Sequence, residues 1–484
     1  MSIDTEVKLL ALRRTKIVAT LGPASDNANT ISRLMQAGVN VFRLNMSHGD
    51  HDAHRRTFQC VRRLAEEADR YIAILADLAG PKIRVGKFAG GSIVLELGDK
   101  VTVTTRDVLG EAGLIPSQYD GLADDLSRGD RVLLADGVME LEVEAVEGTE
   151  IRCVVSQGGV LEDRKGINLP RVEVSAPCLT EKDKSDAHFL LALGVDYLGL
   201  SFVRRSSDVV ELKSLIDDSG AKAGIVAKIE RPEALEDADA IVDKSDAIMV
   251  ARGDLGVELP PEQVPIAQRK LVDVARARNK PVIVATQMLE SMIEHSRPTR
   301  AEVSDVSHTV LSGADAIMLS GETAAGKHPV LAVEMMNRIA RQSEAYLWEQ
   351  EAFGGFDLQD HGEPPIPFGD AVARSSAQLS RDLRVKGILV ISHSGMSAAT
   401  MSSARPAAPV VSISSSAVSC RKMSLMWGVV PHLVEDEGLS DPIAMARERA
   451  KLLGLAGPGE FVLLVRGFHA DPEKNTPSIT LLRV

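Results

Sequence analysis

Cysteine is scarce in this sequence: four in 484 residues, Cys60, Cys153, Cys178 and Cys420, with no C-x-x-C pair among them. That spacing excludes a disulfide framework and a thiolate zinc site, and a reducing, cytoplasmic setting is expected. Also missing is any apolar run approaching about 18 residues, so no transmembrane helix is expected. The opening residues, MSIDTEVKLLALRRTKIV, place acids before a very short apolar patch and lack the order of a secretory signal. Positive charge is in deficit, with 55 Lys and Arg against 68 Asp and Glu and a net charge of −13. Nucleic acid normally demands a basic face, so neither nucleic acid nor membrane is an expected partner. There is no G-x-x-x-x-G-K-[ST] stretch, so any nucleotide is held by something other than a P-loop.

What the chain does contain is a repeated unit. A short run rich in Val, Ile and Leu ends in a polar or glycine-bearing tip, and a helical stretch follows. Eight such runs occur: TKIVATLGPAS from residue 15, VNVFRLNMSHG from 39, YIAILADLAGPK from 71, VDYLGLSFVRR from 195, AGIVAKIERPE from 223, DAIMVARGDLG from 246, KPVIVATQMLE from 280 and ADAIMLSGET from 314. Continuous apolar runs of this length suit strands buried on both faces of a parallel sheet. Eight strand–helix units predict a (β/α)8 TIM barrel, with a doubly wound open sheet as the alternative.

Residues 81–176 differ in character. Alternating stretches such as SIVLELGDKVTVTT and RVLLADGVMELEVEAV are separated by Gly-Asp and Asp-Gly, which predicts period-2 strands and hairpins. This is the expectation of a small β-barrel lid domain inserted between the barrel segments 1–80 and 177–348. A Gly- and Pro-rich linker then leads into a C-terminal α/β domain, 349–484, with strands in GILVIS, PVVSIS and EFVLLVRG.

The site of such a barrel lies at the C-terminal ends of its strands. The tips carry Thr20; Arg43, Asn45, Ser47 and His48; Asp77; Ser201; Lys228 and Glu230; Arg252 and Asp254; Thr286 and Gln287; Ser320 and Glu322. Lys228 and Glu230 are two apart in a strand and so face one way. Glu230 and Asp254, from neighbouring units, make a carboxylate pair suited to Mg²⁺, while Gly253 leaves room for backbone N–H groups near an anion. Arg43, Lys228 and a divalent metal would together clamp a phosphoryl group. A plain Lys–Glu–Asp salt-bridge cluster is the alternative.

The segments VFRLNMSHG (41–49), LADLAGPKIRVG (75–86), KGINLP (165–170), AKIERPE (227–233), MVARGDLGVE (249–258), VATQMLESMI (284–293) and the long block 297–327 together resemble the pyruvate kinase family. The likeness covers most of residues 13–345 and is looser beyond. It implies phosphoryl transfer from phosphoenolpyruvate to ADP, giving pyruvate and ATP in glycolysis, with Mg²⁺ or Mn²⁺ as cofactor. It assigns Lys228 to the transferring phosphoryl group, Glu230 and Asp254 to the metal, and Arg43 to the substrate phosphate. Gly253, Asp254 and Thr286 match positions around the substrate carboxylate. Arg84 and Lys165, with Asn45 and His48, match nucleotide contacts. A proton route through Thr286 and Ser320 to the enolate carbon follows as an expectation.

One departure stands out. Many members of the family need K⁺, and there the position of Leu78 is a threonine and that of Lys82 a glutamate. Here the hydroxyl is lost and the carboxylate is an ammonium, while Asn45, Ser47 and Asp77 are kept. An ammonium has the size and sign to stand in for a monovalent cation, so activity without added K⁺ is expected, with Lys82 seated in that site. In the C-terminal domain, SHSGMSAAT follows a strand, and the resemblance implies a sugar-phosphate effector pocket around Ser392, Ser394, Gly395 and Ser397. A serine-capped helix without a ligand is the alternative. The family also implies a homotetramer. An aldolase- or lyase-type Mg²⁺–enolate barrel, or a non-catalytic effector-binding paralogue, would share parts of this pattern.

Overall fold

The computed structural model describes residues 13–350, 352–353, 365–435, 440–469 and 471–484. The expectations for the first twelve residues and for most of the linker lie outside the described residues.

Eight parallel strands close a barrel: β1 (Lys16–Thr20), β2 (Val41–Asn45), β3 (Ala73–Asp77), β4 (Tyr197–Leu200), β5 (Gly224–Ile229), β6 (Ala247–Ala251), β7 (Val282–Ala285) and β8 (Ala316–Leu319). Around the barrel the order runs β1-β8-β7-β6-β5-β4-β3-β2. Both faces of these strands are dry, which is why they read as unbroken apolar runs rather than as alternation. Val18, Val41, Leu75, Val226, Met249, Ile283 and Met318 fill the interior. Ile17, Phe42, Ile74, Ile225, Ile248, Val284 and Ile317 face the surrounding helices. Each fully buried aliphatic side chain of this kind contributes about 1.5–3 kcal/mol.

The helices are bounded by local chemistry. Asn27 caps the helix Ala28–Ala37, and Gly38 ends it at φ 118°, a left-handed position that suits glycine. Thr299 and Glu302 form a capping box on Arg300–Leu311, and Thr180 and Asp183 form one on Glu181–Leu193. Asp183 also accepts from Gly80 N at 3.1 Å, so this helix start fixes the chain where it leaves β3.

Between β3 and β4 the chain builds separate sheets on their own core, including Val103, Ile115, Leu134, Leu141, Val143 and Val155. One sheet has six strands in the order Ile167–Asn168, Arg131–Leu134, Met139–Glu147, Glu150–Gln157, Lys100–Thr104 and Leu114–Pro116. A two-stranded ribbon pairs Ser92–Leu95 with Gly159–Glu162. Alternate burial along Met139–Glu147 matches its alternating sequence. The three short strands Leu114–Pro116, Gly159–Glu162 and Ile167–Asn168 were not legible, because two to four residues carry too little period. The C-terminal domain has a five-stranded sheet with helices. Its strands Ile388–Ile391, Val410–Ser414 and Phe461–Arg466 fall where expected, while Val429–Leu433 and Ser478–Arg483 add the two edges. Among the described residues no helix is long and apolar enough to cross a membrane.

Candidate active site

The site grows out of the barrel's interior parity. Side chains alternate along a strand, so the residue two beyond an interior aliphatic also points inward. Val41 leads to Arg43, Leu75 to Asp77, and Val226 to Lys228, each pair two apart with the aliphatic member in the interior core. Room for the Asp77 carboxylate comes from Gly199 on β4, where an added Cβ would stand 2.8 Å from Asp77 Oδ1.

These inward groups form one continuous polar chain. Arg43 Nε donates to Asp77 Oδ2 at 2.8 Å, Nη2 reaches the same oxygen, and Nη1 donates to Thr20 Oγ1 at 3.2 Å. Three of five guanidinium N–H groups are thus used, leaving two for a ligand. On the other side of Asp77, Lys228 Nζ lies 3.2 Å from Oδ1 and 2.9 Å from Glu230 Oε1, and it donates to Ser201 Oγ at 2.6 Å. Ser201 in turn donates to the Leu78 carbonyl at 2.7 Å, and Phe202 N donates to Glu230 Oε2 at 2.8 Å. Burial works against every charge here. Even so, Lys228 and Arg43 hold the Asp77 carboxyl below its ordinary range, and Asp77 and Glu230 hold the Lys228 ammonium above its own. Glu230 goes the other way. Burial raises its pKa, Lys228 opposes this and the nearby Asp254 carboxylate adds to the rise.

Asp254 sits in the first turn of the helix Arg252–Glu258, directly after β6. Its side chain is 28% exposed, and Lys82 Nζ lies 3.6 Å from Oδ1. Two hard carboxylates, one of them buried with its charge incompletely matched, are a donor set that fits Mg²⁺ or Mn²⁺, with the remaining positions open to water and substrate oxygens. Glu230 and Asp254 would hold the ion.

The β7 tip is strained. Thr286 has φ 70° and Gln287 φ 54°, left-handed values that a β-branched threonine rarely adopts. Thr286 Oγ1 accepts from Gly253 N at 2.7 Å and donates to the Ala285 carbonyl at 2.6 Å. The Gly253 N–H expected to face an anion is therefore spent on Thr286 in this structure. Arg252 closes on Asp305 through two bonds of 2.7 Å and donates to the Thr286 carbonyl at 2.8 Å. Glu322, 1% exposed, accepts from Ser320 N at 2.7 Å and from Leu289 N at 3.1 Å.

A barrel whose interior ends in Arg43, Asp77, Lys228 and Glu230, with an inserted sheet domain above β3 and a C-terminal α/β domain, matches known proteins throughout. A family model for the barrel domain of pyruvate kinase covers residues 12–333, and one for its alpha/beta domain covers 370–480. The chain belongs to the pyruvate kinase family. A pyruvate kinase from Geobacillus stearothermophilus is 41% identical over 479 residues, 98% of this chain and 80% of the relative. One from Corynebacterium glutamicum is 41% identical over 471 residues, 96% of this chain and 97% of the relative. The crystal structure of a pyruvate kinase from Cryptosporidium parvum superimposes with a TM-score of 0.91 at 33% identity, over 98% of this chain and 97% of that one. Pyruvate kinases are enzymes that convert phosphoenolpyruvate and ADP to pyruvate and ATP, and they generally use Mg²⁺.

The remaining positions matched to the family are distributed as follows. Asn45 accepts from Ser47 N at 3.2 Å, and the exposed His48 follows in the same turn. Arg84 donates to the Arg164 carbonyl at 3.1 Å and forms a bridge with Gly166. Lys165 pairs with Glu162 at 2.9 Å on the lid surface, and that hydrogen bond raises its pKa. Lys82 departs from expectation. Its ion pairs are with Asp254 and, at 3.8 Å, with Asp136 of the lid, not with Asp77. The physical reason is that Asp77 already has two cations, Arg43 and Lys228, whereas Asp254 has no ion-pair partner besides Lys82 among the described residues. Leu78 is buried in the core, its N–H donates to the Gly199 carbonyl at 2.9 Å, and its carbonyl accepts from Ser201.

In the C-terminal domain, Gly395 at φ 97° precedes the helix Met396–Ser403 as expected from the serine-rich turn. Ser392 and Ser397 are buried and Ser394 is exposed, and Ser392 Oγ accepts from Ala398 N at 3.3 Å. That hydroxyl satisfies an N–H in the first turn of the following helix.

Four contributors went unassigned in the sequence: Ser201, Phe202, Arg252 and Glu322. Ser201, Arg252 and Glu322 were visible as polar tip residues without a role. The role of Phe202 rests on a backbone N–H at φ 56°, for which a phenylalanine gives no signal.

Proposed function

We propose that this pyruvate kinase works at the mouth of the barrel with Lys228 and Arg43 as its phosphoryl clamp, without a requirement for K⁺. The observation that supports it most is the buried chain Arg43–Asp77–Lys228–Glu230, in which Asp77 serves both cations. Arg43 has free N–H groups for the phosphate of phosphoenolpyruvate. Lys228 has spent its three donors on Ser201, Asp77 and Glu230, and exchanges the Glu230 bond for a phosphoryl or enolate oxygen. A bound Mg²⁺ or Mn²⁺ would supply charge neutralisation at those oxygens. Arg84, Lys165, Asn45 and His48 face the nucleotide, and closure of the lid, 81–176, over the barrel excludes water from the transferring group. The residues of phosphoenolpyruvate binding are Arg43, Gly253, Asp254 and Thr286. Thr286, with Ser320, delivers a proton to the enolate carbon.

Lys82 supplies the positive charge that K⁺ brings elsewhere in the family. It does so beside Asp254 rather than among Asn45, Ser47 and Asp77. The enzyme acts in cytoplasmic glycolysis as a homotetramer, and a sugar phosphate at Ser392, Ser394, Gly395 and Ser397 regulates it. One coupled assay tests the reading: phosphoenolpyruvate, ADP and Mg²⁺, with KCl or a large organic cation at matched ionic strength, then with a panel of sugar phosphates. Strong activation by KCl would overturn the K⁺ reading, and insensitivity to every sugar phosphate would overturn the regulatory one.

A further inference from the structure

Outside the phosphoryl clamp lies a buried carboxylate to which this mechanism gives no task. Glu322 is 1% exposed and has no ion pair among the described residues. It is held by backbone N–H groups, its own together with those of Ser320 at 2.7 Å and Leu289 at 3.1 Å. A buried carboxylate without a cation is expensive, and burial raises the pKa of this one. The contacts with Ser320 and Leu289 tie the tip of β8 to the turn after β7. That turn holds two consecutive non-glycine residues at positive φ, Thr286 at 70° and Gln287 at 54°. Strain of this kind persists only where the surroundings over-determine it. Its other end is gripped by Arg252, which donates to the Thr286 carbonyl at 2.8 Å and is locked by two bonds to Asp305.

We propose that Glu322 and Arg252 are positioning residues for proton transfer, clamping the strained Thr286–Gln287 turn from both ends and so aiming the Thr286 hydroxyl. The inference rests on the reading that Thr286 acts in protonating the enolate. Neither residue touches the reacting atoms. They set where the hydroxyl stands, and a shift of about 1 Å in a reacting group costs up to about a hundredfold in rate. Relaxing the turn should therefore slow protonation while leaving the phosphate clamp, which is built on β2, β3 and β5, in place.

The test uses the full-length enzyme and the variants Glu322→Gln, Arg252→Lys, Thr286→Ala and Thr286→Ala/Glu322→Gln. Exchange of the pyruvate methyl protons with solvent deuterium is followed by NMR, beside kcat and the KM for phosphoenolpyruvate. Glu322→Gln and Arg252→Lys should each slow exchange by about tenfold or more, with KM changed by less than about twofold. In the Thr286→Ala background, Glu322→Gln should add almost nothing, because the group it aims is gone. Slow exchange in Thr286→Ala with a further multiplicative loss in the double variant would overturn the positioning role and leave Thr286 standing. Normal exchange in Thr286→Ala would overturn the reading of Thr286, and the inference with it. Should Glu322→Gln not fold, Arg252→Lys still decides: exchange at the parent rate would overturn the clamp.

Discussion

Replacing Lys82 by glutamine removes one positive charge 3.6 Å from Asp254 Oδ1 and 3.8 Å from Asp136 Oδ1. Coulomb's law at the shorter distance gives about 1 kcal/mol in water-like surroundings and about 5 kcal/mol at the effective dielectric of a protein surface. The Lys82 and Asp254 side chains are 32% and 28% exposed, so solvent screening favours the lower end. On the reading that Asp254 holds the divalent cation, the ammonium competes with that cation in the free enzyme. Lys82→Gln should then tighten Mn²⁺ binding in the absence of substrate by about fivefold to tenfold, equivalent to about 1–1.4 kcal/mol. An electron paramagnetic resonance titration of free Mn²⁺ measures this directly. In turnover the same loss removes a charge that helps neutralise the phosphates. The parent enzyme should therefore run at one rate in KCl and in tetramethylammonium chloride at matched ionic strength. Lys82→Gln should lose activity that KCl partly restores, and Lys82→Glu should depend on K⁺ outright. Unchanged or weaker Mn²⁺ binding by Lys82→Gln would refute the placement of the ammonium on Asp254. Strong KCl activation of the parent would refute its role as a built-in cation.

Further outcomes follow from the same geometry. Asp77→Asn leaves Arg43 and Lys228 buried without their shared counter-charge and should destabilise the fold by about 3–5 kcal/mol in urea unfolding, beyond its effect on turnover. If its cost is below about 1 kcal/mol, the two cations are not held as described. Gly199→Ala would set a methyl group 2.8 Å from Asp77 Oδ1, so it should reproduce part of the Asp77→Asn loss in kcat while Gly90→Ala, whose Cβ would meet only the Ser92 carbonyl oxygen at 3.8 Å, does not. Thr286→Ala should slow solvent exchange at the pyruvate methyl far more than it weakens phosphoenolpyruvate binding, and equal effects on both would count against a proton-transfer role. Gly80 sits at φ 67° with its Cβ direction 2.7 Å from Phe202 Cδ2. Gly80→Ala should therefore displace the Phe202 N–H from Glu230 and cost about 1–3 kcal/mol in thermal unfolding together with a drop in activity.

The sequence by itself determined the barrel and its mouth. Eight apolar runs with polar tips are the imprint of strands buried on both faces, and their number favoured a closed barrel over the doubly wound sheet that the same pattern allows. The common direction of Lys228 and Glu230 was equally readable, because residues two apart in a strand face one way. The alternation in Met139–Glu147 likewise marked the inserted sheets. Only the tertiary structure decided how those charges are shared. Asp77 lies between Arg43 and Lys228, which leaves Lys82 to Asp254, and no local pattern could reveal that Asp77 was already neutralised by groups 34 and 151 residues away. The tension at Thr286 was hidden for the same reason. A threonine in a VATQ stretch reads as the end of a strand. Its positive φ exists because Arg252, from another strand tip, and Glu322, from the next, hold the turn where the backbone alone would not stay.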